Sequence, residues 1–121
     1  MANNLKVALL QISPTGSLVG NMEKGEKYCC MAKEMGADIA LFPEMFSNGY
    51  DIYERDAKEW KKDAIGSKSE FVESFGILAK KLDMAIGITF LEDFKPLKVY
   101  LVVLAFFIVF TFLYFLPSIT N

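Results

Sequence analysis

Residues Ala37 to Tyr53 read ADIALFPEMFSNGYDIY, and the first eight of them decide the fold. Ile39 to Phe42 is an apolar run of strand length, Pro43 stops it, and Glu44 stands alone beyond the break. The carboxyl end of a buried parallel strand is where open α/β folds place their chemistry, so the surroundings of this short run matter. Asn48-Gly49 follows as a turn signal, because both residue types tolerate positive φ.

Upstream, Asn21 to Met35 places Met22, Gly25, Tyr28, Cys29, Ala32 and Met35 at three- and four-residue steps, with Glu and Lys on the other side. This spacing predicts an amphipathic helix, capped by Asn21 and ended by Gly36. Leu5 to Ile12 (LKVALLQI) reads as an opening strand closed by Pro14 and Gly16, so strand, helix and strand form a βαβ unit with a parallel pair. Downstream, a weak helix is expected over Glu54 to Ala64, around Ala57 and Trp60. Ser67 and Glu70 fit a capping box, Phe71, Phe75, Leu78 and Leu82 share one helical face up to about Asp83, and Met84 to Leu91 (MAIGITFL) reads as a third strand. Three strands alternating with helices predict an α/β layered fold, and no internal repeat or low-complexity linker interrupts it.

The 121 residues suffice for one small domain, and a net charge of −2 gives no electrostatic reason to expect a nucleic-acid partner. Histidine is absent, which excludes an imidazole base, a Ser-His-Asp arrangement and any His-containing zinc site. Cys29 and Cys30 are adjacent on the predicted helix, about 100° apart around its axis, where a mutual disulfide would be strained. They are expected as two reduced thiols, one of them on the core face, neither a nucleophile. The glycines form neither GxGxxG nor a P-loop.

Taken together, KVALLQISP, the helix ending in AKEMGADIALFPEMFSNGY, and the helix leading into AKKLDMAIGITFLE resemble the N-terminal part of the nitrilase superfamily, the carbon-nitrogen hydrolases. The resemblance runs from about Leu5 to about Glu92. It implies an αββα sandwich and hydrolysis of a non-peptide carbon-nitrogen bond in an amide, a carbamoyl compound or a nitrile. In that family a Cys thiolate attacks the carbon, a Glu acts as general base and then acid, and a Lys stabilises the developing oxyanion. Glu44 matches the family's glutamate, and the chemistry implies that it be held in a poorly solvated pocket that raises its pKa. Tyr50, just past the turn, either lines that pocket or packs the loop. No cofactor or metal is implied.

After GITFLE the chain departs from the family. A lysine in a YxK-like motif and a cysteine in a CYD-like motif do not follow, and Lys95 and Lys98 lie too close to the third strand without an aromatic-x-Lys context. After Lys98 no charged residue occurs, and Val99 to Leu116 is broken only by Thr111. At 1.5 Å per residue such a run spans about 27 Å as a helix, near a bilayer's hydrocarbon thickness, with Lys95 and Lys98 placing the N-terminal part on the cytoplasmic side. The alternative is that a shifted frame or unspliced sequence produced the tail.

The expected architecture is therefore a partial carbon-nitrogen hydrolase domain over 1–94, the N-terminal part of a nitrilase-like sandwich, and a hydrophobic C-terminal helix within 95–121. The expected function is that of a truncated hydrolase, inactive alone for want of the Lys and Cys. A membrane-anchored, non-enzymatic module of the same fold is the alternative, and a plain α/β binding domain the third reading. Expected partners are a small amide, carbamoyl or nitrile substrate in the complete family, the membrane through Val99 to Leu116, a second copy of the chain, and a complete relative met through the exposed sheet edge or a helix face. Met1 to Lys6 leads straight into the first strand without a cleavable signal peptide, which sets a cytoplasmic expectation for 1–94.

Overall fold

The computed structural model describes residues 4–50 and 54–93 and the backbone of residues 114–115. In chain order the elements are β1 (Val7–Leu9), α1 (Leu18–Glu34), β2 (Ile39–Leu41), α2 (Ala57–Trp60), a 3-10 turn (Lys61–Asp63), α3 (Glu70–Leu82), β3 (Ala85–Ile88) and β4 (Tyr114–Phe115). The strands lie side by side in the order β1-β2-β3-β4. β1, β2 and β3 run parallel, with Val7 beside Ile39 and Ile39 beside Ala85. Successive right-handed crossovers in one direction bring both long helices to the same face of the sheet, where α1 and α3 touch.

Strand alternation does the rest. Ala40, Ile86 and Ile88 point to the helical side and join Cys29 and Ala32 of α1 and Phe71, Phe75 and Leu78 of α3 in one buried cluster. Phe42 closes the cluster at the end of β2, stacked edge-on against Phe75 at 5.1 Å and tilted against Phe46 at 4.8 Å. The other face carries Val7 and Leu9, 46% and 66% exposed, because no described layer covers it. The described residues thus form a two-layer α/β unit, one sheet and one helical layer, rather than the whole four-layer αββα sandwich.

Both helix starts differ from the sequence expectation. α1 is capped by Ser17, whose Oγ accepts from Gly20 N at 3.0 Å. Asn21 lies inside the first turn with its side chain buried, so it is occupied elsewhere and caps nothing. The end of α1 follows expectation, with Gly36 at φ +83 just past the Met35 cap. α3 starts at Glu70 behind Ser69, not Ser67, with Ser69 Oγ accepting from Val72 N. The helix expected over Glu54 to Ala64 is reduced to α2 and the 3-10 turn, as its four α-helical residues bury nothing.

Among the described residues no helix is long and apolar enough to cross a membrane. The helix expected over Val99 to Leu116 falls outside the described residues except at Tyr114–Phe115, and there the backbone is a strand, antiparallel to β3 with Gly87 beside Phe115. A β3 edge left open would expose unpaired backbone donors and acceptors, and the pairing with β4 satisfies them.

Candidate active site

Glu44 begins a turn at the carboxyl end of β2, one residue beyond Pro43. The turn is tight: Asn48 N donates to Met45 O at 3.3 Å, and Met45 adopts φ +52, a left-handed conformation unusual for a residue with a Cβ. The Met45 side chain is fully buried, which fixes the tip of the turn against the domain. Gly49, at φ +75, closes it, and a Cβ there would stand 3.0 Å from Pro14 Cγ.

Three buried polar residues from different parts of the chain hold this turn. Phe46 N donates to Thr89 Oγ1 at 3.1 Å, and the same hydroxyl donates to Pro43 O. Ser47 N donates to Thr89 O at 3.3 Å, and Ser47 Oγ accepts from Leu91 N at 3.2 Å. From the other side Asn21 Nδ2 donates to Ser47 O at 3.2 Å, while Asn21 Oδ1 accepts from Thr15 N at 2.6 Å and from Thr15 Oγ1 at 2.9 Å. Asn21, Ser47 and Thr89 are each at most 3% exposed. Buried polar groups in native proteins are satisfied, and here the satisfaction ties α1, the Glu44 turn and the exit of β3 together.

Glu44 itself is exposed. The poorly solvated pocket expected around it is not built by the described residues, none of which stands over the exposed β1 side chains Val7 and Leu9. What lies alongside is an apolar groove of about 580 Å³ at the carboxyl ends of β1 and β2, lined by Leu9, Leu10, Ile12, Leu41, Phe42 and Pro43. Tyr50 is 48% exposed and is not part of the lining of this groove or of the cavity described next.

A second cavity of about 360 Å³ lies between the start of α1 and the 3-10 turn, with Ser17, Asn48, Arg55, Lys62 and Asp63 in its lining. Its charges are already engaged: Arg55 Nη2 meets Asp63 Oδ2 at 2.6 Å, and Lys62 Nζ meets Glu59 Oε1 at 2.8 Å.

The two cysteines are free and both belong to α1. Cys29 sits wholly inside the core, and burial, with smaller contributions from Cys30 and Glu26, pushes its thiol from 9.0 up to about 12. Such a thiol stays protonated and cannot serve as a nucleophile at neutral pH. Lys24 reaches toward the strand ends, but its Nζ donates to Ser13 O at 2.7 Å and so secures the loop after β1. Among the described residues no group of three His, Cys, Asp or Glu side chains could hold a metal ion.

Sequence reasoning placed Glu44 but missed Thr89, Ser47 and Asn21 as its supports. Asn21 reads as a cap in the sequence, and the sign of the others is a hydroxyl residue beside apolar ones, Thr89 in ITFL and Ser47 after MF.

Three parallel strands with helices on one face, and a carboxylate on a clamped turn at their carboxyl edge, define an α/β domain of the layered class. A model of the carbon-nitrogen hydrolase family matches residues 6–106, and the chain belongs to that family, within the nitrilase superfamily. The match continues beyond Glu92, where the motif resemblance in the sequence stops. The glutamine-dependent NAD(+) synthetase of Thermotoga maritima is 40% identical over 47 residues, which is 38% of this chain and 8% of that protein. The chain therefore matches less than a tenth of this relative's length.

Proposed function

We propose that Glu44 is the general base of a carbon-nitrogen hydrolase site, of which the described residues supply this one catalytic group. The observation that carries the reading is the position of Glu44, on a rigid turn at the carboxyl end of β2, beside an apolar groove and within the family-matched stretch. In the Glu-Lys-Cys chemistry of the family, the carboxylate takes the proton of the attacking thiol and then delivers it to the departing amine. It can do this only while held at hydrogen-bond reach of both, which is what a clamped turn supports. The family's YxK-like lysine and CYD-like cysteine do not occur among the described residues; Lys24 holds a loop carbonyl, Cys29 is buried and protonated, and Cys30 is its neighbour on α1, outside any CYD-like motif.

We read the full chain as inactive by itself, because its sequence carries neither the YxK-like nor the CYD-like motif. The substrate class is a small amide, carbamoyl compound or nitrile, and the glutamine named in its Thermotoga relative makes the side-chain amide of glutamine the first substrate to test. The experiment is an ammonia-release assay on the purified full chain with glutamine, a simple aliphatic amide and a nitrile. No release above the buffer rate is expected. Release that Glu44→Gln abolishes would overturn the inactivity while upholding the base, and release that survives Glu44→Gln would overturn the assignment of Glu44.

A further inference from the structure

We propose that Thr89 is the positioning residue for Glu44, its hydroxyl bridging the backbone on either side of the Glu44-Met45 tip. The proposal rests on the reading of Glu44 as the base. Among the described residues nothing hydrogen-bonds the Glu44 carboxylate, so its direction is set through its own backbone. That backbone is bracketed by one oxygen atom: Thr89 Oγ1 donates to Pro43 O, the carbonyl just before Glu44, and accepts from Phe46 N at 3.1 Å, two residues after it. A hydroxyl has one proton to give and lone pairs to receive, and both capacities are spent on this span.

The turn needs such a hold. Met45 at φ +52 occupies a region that residues with a Cβ avoid, and conformations of this kind persist only where their surroundings over-determine them. Pro43 has no N–H to contribute, which leaves its carbonyl as the anchor on that side. Thr89 is 3% exposed and follows directly on β3, so its own position is fixed by the central sheet. The parallel register of β2 and β3, with Leu41 beside Gly87, brings the two strand ends level and puts Thr89 opposite the turn. An apolar side chain at this position would fill the same space and pack as well. The hydroxyl is therefore explained by what it holds, and what it holds is the backbone of Glu44.

The test compares Thr89→Val, nearly the same shape without the hydroxyl, with Thr89→Ser, which keeps it, in the full chain. NMR reads the Glu44 backbone amide resonance and hydrogen exchange at the Phe46 amide, with Ile86 in β3 as the internal control. Expected is a single Glu44 resonance in the wild type and in Thr89→Ser. In Thr89→Val that resonance splits or moves toward its random-coil position, and Phe46 exchanges at least about tenfold faster while Ile86 is unchanged. A general loss of stability would speed Ile86 in step with Phe46 and overturn the positioning role. So would a Thr89→Val chain whose Glu44 and Phe46 signals match the wild type. If Thr89→Val does not fold, backbone relaxation of the wild type decides: order parameters at Glu44 and Met45 near about 0.85 uphold the held turn, and values below about 0.6 overturn it. None of these readouts requires turnover, so the positioning role and the assignment of Glu44 as base can fail separately.

Discussion

Gly25 of α1 lies against Phe42 at the end of β2: a Cβ on Gly25 would stand 2.8 Å from Phe42 Cε1 and 2.8 Å from Phe75 Cζ. The absence of a side chain lets the helix settle onto the two rings directly behind the Glu44 turn. Both phenylalanines are buried, and Phe75 also packs on Phe71 at 5.0 Å, so neither ring has free space to retreat into.

Gly25→Ala therefore sets two effects against each other. Alanine is a better helix former by about 1 kcal/mol, while overpacking a filled core costs roughly 1–3 kcal/mol. The contact distance decides for the second, and a net loss of about 1–2 kcal/mol is expected in urea denaturation. An alanine variant as stable as the wild type would show that the rings yield.

Ser69→Ala should cost about 1 kcal/mol, the usual value of a serine N-cap, because Val72 N loses its acceptor. Ser67→Ala should change stability by less than about 0.5 kcal/mol, since Ser67 lies outside α3. Equal losses in the two variants would contradict the observed helix start.

Asn21→Ala removes the side chain that hydrogen-bonds both Thr15, in the loop after β1, and Ser47 of the Glu44 turn. Thr15 can turn to water, but the buried Ser47 carbonyl loses its Asn21 donor, and a cost of about 1–3 kcal/mol is expected in thermal or urea unfolding. A loss below about 0.5 kcal/mol would mean that water replaces the amide.

Cys29 makes stability fall in alkaline solution. Its folded thiol is held at about 12, above its ordinary 9.0, so the folded state keeps a proton that the unfolded state releases. The contribution is complete below pH 9 and declines as pH rises from 9 toward 12. Denaturant midpoints of Cys29→Ala should show a weaker decline over that window than the wild type. At pH 8 an alkylating reagent should modify the partly exposed Cys30 first and reach Cys29 only on unfolding.

Much of the fold is legible in local pattern. Ile39 to Phe42 announces its strand because four apolar residues bounded by a proline have few other uses, and the face Phe71, Phe75, Leu78 packs as its helical spacing requires. Capping is where local pattern misleads. Ser17 and Asn21 are both good N-cap types, as are Ser67 and Ser69, and sequence alone ranks them by neighbouring residues. The choice falls to contacts distant in the chain: Asn21 is drawn inward by Ser47, 26 residues away.

The sequence by itself determined the α/β class, the parallel βαβ unit and the place of Glu44 at a strand end, because strand length, helical period and proline breaks act over a few residues. Only the tertiary structure decided how that glutamate is held. The Thr89 hydroxyl lies 46 residues from Pro43 and the Asn21 amide 26 from Ser47, and hydrogen bonds across such separations exist only once the sheet register has brought the strand ends level. It also decided the setting of the carboxylate, which is exposed, since solvent exposure depends on which distant segments pack around the turn and no local pattern encodes that.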